Sequence, residues 1–232
     1  HGKVDMVIGQ LTVTPERQKL VDFTKPTRRD VSELVVTGPG APAIASVEDL
    51  AGQEVFVRKS SSYHQSLLLL NERLKAAGRQ PVIIVAAPEN LEDEDLLEMV
   101  NAGLIKIVVV DSYLAEFWQK VFTNITVHDT VAVNTGGNLA VAVRKGSPQL
   151  TAGLNAIIDK YGLGTAFGNT LEKRYLQSTK YVKDATSEAE RRKFLQMVEL
   201  FKKYSSEYDV DYLLMAAQGY QESALDQDAR SP

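Results

Sequence analysis

The chain has 232 residues, enough for two domains or one large one, and its 44% hydrophobic and 24% charged content is that of an ordinary globular protein. A formal net charge of −4 gives no basic field for nucleic acid or anionic lipid. The absence of cysteine excludes disulfides, thiolate metal sites and cysteine nucleophiles, and no apolar run approaches the roughly 20 residues that span a bilayer.

In chain order, short β-rich runs bounded by turn residues fall at 4–8, 34–37, 54–57, 82–86, 105–110 and 139–143. Helical stretches lie between them at 63–77, ending at Gly78, at 91–102, ending at Gly103, and at 112–121. The acidic run Glu92-Asp93-Glu94-Asp95 suits a solvated first helical turn, where the macrodipole favours carboxylates. Strands separated by helices of this length predict an α/β fold with a mostly parallel sheet. A further helical zone runs over 148–176, broken at Gly162 and Gly164, and beyond Lys180 the pattern is helical only. A boundary is expected near 178–188, where Ser, Thr, Lys and Asp accumulate.

The first ligand-type constellation is VDMVIGQLTVTPERQKLVDFTKP at 4–26. Thr12, Thr14 and Arg17 follow a strand, and Pro15 and Glu16 suit the first turn of a helix. Such a corner offers a hydroxyl, free backbone N–H groups and a guanidinium to one carboxylate. Spacing alone favours a plainer reading, in which Thr14 caps the helix and Arg17 pairs with Glu16 or Asp22 at the surface. Asp111 closes the apolar run 105–110 and opens a helix, at the carboxyl end of a strand where open α/β sheets bind ligands. It also suits an N-cap. Tyr63 and Phe23 are candidates for the pocket wall or for plain core. His1, His64 and His128 have no partner at metal-ligand spacing, so neither metal nor cofactor is expected.

The stretch 4–26 resembles the T-x-x-R-x-x-x-x-x-F-[ST]-x-P signature of the family 3 periplasmic solute-binding proteins. The resemblance continues through VEDLAGQEVFVRKSSSYHQS at 47–66, IKIVVVDSY at 105–113 and NTGGNLAVAVRKG at 134–146. It implies two α/β lobes closing over a polar amino acid. Arg17, helped by Thr12, would hold the ligand carboxylate. Ser60, Ser61 and Ser62 would supply hydroxyl and backbone donors, and Asp111 would meet the α-ammonium. The family's first lobe normally opens with a further strand, helix and strand, so that lobe is expected to be incomplete here. A Gly-Thr or Gly-Ser pair usually stands where this sequence has Ser60-Ser61-Ser62.

The second constellation closes the chain. Phe194, Met197, Val198, Phe201 and Tyr204 form one apolar stripe at helical spacing. A loop is expected at 205–209, then a helix capped by Asp211, with Leu213, Leu214, Ala217 and Gln221 facing inward. Glu222 falls at the last turn, where the negative end of the dipole opposes ionisation of a carboxylate, as general-acid work requires. A lone helix-terminal Glu is ordinarily a surface charge. The string YQESALDQDARSP, however, resembles the E-S-x-[FL]-[DN]-x-x-A-x-S-P motif that opens the catalytic domain of family 1 lytic transglycosylases. That resemblance makes Glu222 the acid/base, with Ser223 orienting it or the sugar. Glu222 would protonate the oxygen between N-acetylmuramic acid and N-acetylglucosamine, then accept the proton of the attacking muramic C6 hydroxyl. The product is a 1,6-anhydro sugar, and because the substrate supplies the nucleophile, one carboxylate suffices where an ordinary glycosidase needs two. Asp226 and Asp228 are read as turn formers.

Together these features predict a solute-binding-protein-like domain over 1–178, with one lobe from 1–36 and 138–178 and the other from 37–137. A linker over 179–190 and the start of an all-α, lysozyme-like catalytic domain over 191–232 follow. The expected partners are a peptidoglycan glycan strand and an amino acid or muropeptide ligand, with no nucleic acid. The expected setting is the Gram-negative periplasm, attached to the outer membrane by a segment outside this chain. Starting at His1 without an initiator Met and lacking later catalytic landmarks, the chain reads as a truncated piece, inactive alone. The alternative is a non-enzymatic, transporter-type amino-acid-binding protein.

Overall fold

A computed structural model describes residues 4–180, 182, 188–223 and 225, and for 188–191, 193, 194, 196, 220 and 221 it describes the backbone alone. The chain divides into two compact units, His1–Gln177 and Ser178–Pro232.

In the first unit the strands are β1 (Met6–Thr12), β2 (Val21–Phe23), β3 (Arg28–Thr37), β4 (Glu54–Arg58), β5 (Ile83–Ala87), β6 (Ile107–Asp111) and β7 (Thr126–Arg144). The helices are α1 (Pro15–Leu20), α2 (Ser62–Ala76), α3 (Asp93–Asn101), α4 (Ser112–Trp118), α5 (Pro148–Tyr161) and α6 (Ala166–Glu172). The strands form one sheet in the order β1-β7-β3-β6-β4-β5, with β2 also on β7.

The sheet is not mostly parallel, contrary to the pattern-based expectation. Only β4 pairs in parallel, with β5 and β6, whereas β1, β2 and β3 run antiparallel to β7, and β3 runs antiparallel to β6. The reason is β7. Its first half carries Thr126, His128, Thr130 and Asn134 among its apolar residues, so it lacks the dense apolar run of a strand buried on both faces. It nevertheless returns after α4 to lie against β3, and its second half supports β1 and β2. Pairing between β3 and β7 shifts register repeatedly between Arg28 and Val35.

Strict alternation builds two cores, one on each side of the sheet. Val35, Ile107 and Val109 face α2 through Leu67, Leu70 and Leu74. Leu34, Val36, Val108 and Val110 face α3 and α4 through Leu96, Leu97, Val100 and Ala115. All five residues of β6 are buried, because helices cover both faces. Gly137 on β7 is needed for close approach: a Cβ there would lie 3.0 Å from the Val31 carbonyl oxygen.

The second unit is described by α7 (Glu188–Tyr208) and α8 (Tyr212–Ser223), which pack on each other. Helix α7 continues through 205–208, so the expected loop shrinks to 209–211 around Asp209, whose φ of 52° makes the turn. Asp211 caps α8, its Oδ1 accepting from Leu213 N at 2.7 Å and Leu214 N at 3.3 Å. The buried face of α8 differs from the expected one: Ala216 is buried, whereas Leu213, Leu214 and Ala217 are exposed. Gly219 lies on this side of the helix, where an added Cβ would meet Leu225 Cδ2 at 3.3 Å and the Phe201 ring at 3.8 Å. The Phe194 and Gln221 side chains, and Asp226 and Asp228, lie outside the described residues. No helix among the described residues is long and apolar enough to cross a membrane.

Candidate functional site

The end of β1, the start of α2, the start of α3 and the end of β6 surround a cleft of about 450 Å³. Thr12, Arg17, Ser60, Ser61, Ser62 and Asp111 all line it, so the first unit gathers every ligand-type residue that the sequence singled out there. Segments far apart in the chain reach the cleft because the carboxyl ends of β1, β4 and β6 converge on it.

Thr14 caps α1, its Oγ1 accepting from Arg17 N at 3.3 Å. Arg17 does not make a surface ion pair. Its Nη1 donates to the Thr12 carbonyl and its Nη2 to the Ser60 carbonyl, each at 2.8 Å. With five N–H donors a guanidinium has three left after these two bonds. Burial pulls Arg17 below its ordinary value, opposed by the negative groups Glu33 and Asp111.

The three serines divide their tasks. Ser60 Oγ donates to Glu89 Oε2 at 2.6 Å. Ser61 caps α2 by accepting from His64 N at 3.3 Å, while its own hydroxyl donates to the Arg58 carbonyl at 2.7 Å. Ser62 is buried and its Oγ donates to Thr12 Oγ1 at 3.1 Å, joining β1 to α2.

Asp111 occupies the N-cap position of α4, but its side chain makes no capping bond. It is 4% exposed, and its Oδ1 is buried without a hydrogen-bond partner. Burial, followed by the negative charges of Glu33 and Asp93, raises its carboxyl to about 7. Tyr63, buried at the back of the cleft, accepts from Asp111 N–H at 3.1 Å and donates to Asp93 Oδ2 at 2.9 Å. The same surroundings hold its phenol well above the usual range, with burial the largest cause.

Three acids and bases of this site escaped the sequence reading. Asp93 is not part of a solvated helix start: it turns into the cleft, where Arg58 bridges it at 3.1 Å and Glu92 at 2.7 Å. Burial raises Asp93 despite Arg58. Glu33 is 1% exposed, behind Ser62, and neither of its oxygens reaches a partner in full hydrogen-bond geometry. Burial raises it as well, while the nearby Ser66 and Ser62 hydroxyls and Arg17 pull the other way. One signal for Glu33 was available: it abuts the unbroken apolar run Leu34-Val35-Val36, which marks a strand covered on both faces. Phe23 does not line the cleft. Arg28 pairs with Glu172 at 2.7 Å and stacks over Tyr113, a cleft residue, at 4.4 Å.

In the second unit Glu222 is exposed on the last turn of α8, its Oε1 accepting from Gln218 Nε2 at 3.0 Å. The Ser223 hydroxyl donates to the Gly219 carbonyl at 3.0 Å. Among the described residues no group of His, Asp or Glu is arranged to hold a metal.

Comparisons with known proteins agree on the first unit. The family of bacterial extracellular solute-binding proteins, family 3, matches residues 1–173. The membrane-bound lytic murein transglycosylase F of Aeromonas hydrophila subsp. hydrophila is 30% identical over 239 residues, covering 99% of this chain and 45% of that protein. The protein of that name from Pseudomonas fluorescens is 27% identical over 226 residues, covering 96% of this chain and 45% of its own length. The chain thus spans about half the length of the curated relatives it matches. Among solved structures, an ancestral arginine-binding protein bound to arginine is 26% identical, with a TM-score of 0.59 over 75% of this chain and 72% of that one. The substrate-binding protein of an amino acid ABC transporter shares the fold, with 23% identity and a TM-score of 0.61 over 76% of this chain and 73% of its own.

Proposed function

The chain belongs to the bacterial extracellular solute-binding proteins, family 3, and on that footing we propose that its cleft binds an amino acid, free or within a muropeptide, and regulates a lytic transglycosylase. The observation that carries the reading is the convergence of Arg17, Thr12, Ser60, Ser61, Ser62 and Asp111 on one cleft. The remaining N–H groups of Arg17 receive the ligand carboxylate, the Ser60–Ser62 turn adds donors, and Asp111 takes the α-ammonium. The cleft divides a lobe of 1–36 and 138–178 from one of 37–137.

Residues 191–232 are the start of the lysozyme-like catalytic domain, joined by a linker over 179–190, and Glu222 is its acid/base. Glu222 protonates the glycosidic oxygen between N-acetylmuramic acid and N-acetylglucosamine as the C1–O bond breaks. The muramic C6 oxygen then bonds to C1 and its proton passes to Glu222, leaving a 1,6-anhydro end. Support comes from relatives named lytic murein transglycosylase F that align along nearly the whole chain. In this reading the working protein is periplasmic and held at the outer membrane.

Coupling requires that the ligand bind active and inactive arrangements with different affinity. The test is release of anhydro-muropeptides from peptidoglycan by the complete gene product, with and without amino acids and muropeptides. Glu222→Gln should abolish release, and ligand should change the rate. Unaltered release in Glu222→Gln sinks the catalytic assignment, and ligand binding without a rate change sinks the coupling. A second reading, a non-enzymatic transporter-type binding protein, is favoured by the fold shared with an ABC transporter component. It predicts amino acid binding with no release at all.

A further inference from the structure

Glu33 and Asp111 are direct partners across the antiparallel β3–β6 pair. Directly opposed residues on adjacent strands point to one face with Cβ atoms roughly 5 Å apart, and like charges there repel. The alternation that turns Val35, Ile107 and Val109 toward α2 places both acids under the start of that helix. Each is more than nine-tenths buried, and Glu33 Oε1, Glu33 Oε2 and Asp111 Oδ1 have no fully formed hydrogen bond. Two carboxyl groups so placed resist double ionisation, and their protons belong to the pair rather than to either residue.

Charged and titratable groups face the pair from each element around it. Arg17 of α1 attracts both carboxylates, and Arg28 of β3 attracts Asp111. Both guanidinium groups are bonded elsewhere, Arg17 to the Thr12 and Ser60 carbonyls and Arg28 to Glu172. The start of α3 adds Glu92, Asp93 and Glu94; Arg58 of β4 is shared by the first two, and Asp93 repels Asp111. Helix α2 sets the Ser62 and Ser66 hydroxyls beside Glu33 and the Tyr63 hydroxyl against Asp111 N–H. Tyr113 of α4 lies beside Asp111, and β7 places uncharged Asn134 opposite Glu33. Arg28 is matched by Glu172 and Arg58 by two carboxylates, so Arg17 alone stands against the pair. One proton supplies the positive charge still wanting, in line with the rise that burial and then Glu33 impose on Asp111.

We propose that Glu33 and Asp111 form a proton-binding site in the cleft floor, holding one proton between them, which the α-ammonium of an arriving amino acid displaces. The O–H bond at Asp111 breaks, its proton passes to a base in solvent, and a ligand N–H donates to the carboxylate oxygen so freed. Proton and ligand therefore compete, and affinity falls by up to about tenfold for each pH unit below the titration of the pair. The inference rests on the amino-acid-binding reading above and adds a second, competing occupant to the same site.

The test is calorimetric titration of the 232-residue chain across the acid-to-neutral range, in buffers of different ionisation enthalpy. The probe is the tightest binder among the common L-amino acids, each tried free and as the C-terminal residue of an alanyl dipeptide. At the pH where affinity changes most steeply, about half a proton or more should be released per ligand bound. Glu33→Gln removes the like charge beside Asp111 and should move that window down by at least about one pH unit. Affinity independent of pH with no buffer-dependent heat, or the same window in a folded Glu33→Gln variant, overturns the proposal. Carboxyl-carbon NMR of the ligand-free chain decides where the variant does not fold or no probe binds. Coupled titration of Glu33 and Asp111 supports the shared proton, and two independent titrations in the ordinary carboxylate range refute it. Failure of every probe to bind beside a coupled titration defeats the amino-acid-binding reading instead.

Discussion

Arg17 Nη2 donates to the Ser60 carbonyl at 2.8 Å, across a sequence separation of 43 residues, while Nη1 of the same guanidinium holds the Thr12 carbonyl. One side chain therefore clips the end of β1 to the loop before α2, and these are two walls of the cleft. A planar fork can hold two carbonyls and still present N–H groups to a carboxylate, which an ammonium on a flexible stem cannot do. Arg17→Lys should weaken amino acid binding by about 10- to 100-fold, the loss of about 1.5–3 kcal/mol expected for charged hydrogen bonds. Calorimetry on the variant checks this, and retained affinity would remove Arg17 from the binding site.

Asp111 gives a pH signature with a definite sign. Its carboxyl stands at about 7 in the folded chain against an ordinary value of 3.8, so the folded state holds the proton more tightly than the unfolded one. Stability from this group therefore falls as pH rises from about 4 to about 7. Glu33 and Asp93 are shifted in the same direction. Asp111→Asn should stabilise the ligand-free chain at pH 8 by about 2–4 kcal/mol, an advantage that disappears toward pH 4. Denaturant unfolding of both proteins across that range measures the difference, and a pH-independent gap would contradict it.

Tyr63 supports two cleft acids through a single hydroxyl. Tyr63→Phe deprives Asp93 of a donor and the Asp111 N–H of its acceptor in a buried setting. A loss of about 1–3 kcal/mol is expected from the unsatisfied groups. Thermal unfolding at pH 7 provides the measurement, and an unchanged midpoint would show that neither bond contributes.

Gly137→Ala tests the crossing of β7 over β3. The added methyl would meet the Val31 carbonyl oxygen at 3.0 Å, with Thr12 Cγ2 3.7 Å away. Because the first obstacle is backbone, the strands must part, at a cost of about 1–3 kcal/mol. Thr12 belongs to the cleft, so ligand affinity should weaken together with stability. A variant that binds as before would separate the strand crossing from the site.

How much of this could be read beforehand depends on how each residue advertises itself. Thr12 and Asp111 end strands and Arg17 lies in the first turn of α1, where turn and strand signals are strong, and the cleft assembles there. Dense β-rich runs bounded by turn residues located β4, β5 and β6. The first half of β7 hid its strand character behind Thr126, His128 and Asn134, and with it the antiparallel pairing of β3. Asp93 was invisible as a buried group because four consecutive acids look alike until Arg58 and Tyr63 choose one of them. In the second unit apolar periodicity located the helices but not the rotation of α8, which buries Ala216 and exposes Leu213 and Leu214.

Strand β7 runs for 19 residues, a length of roughly 60 Å, and β1, β2 and β3 all draw their antiparallel bonds from it. Its pairing with β3 slips register between Arg28 and Val35, the segment that carries Glu33. Irregular strand pairing and buried negative charge therefore share one address in the fold.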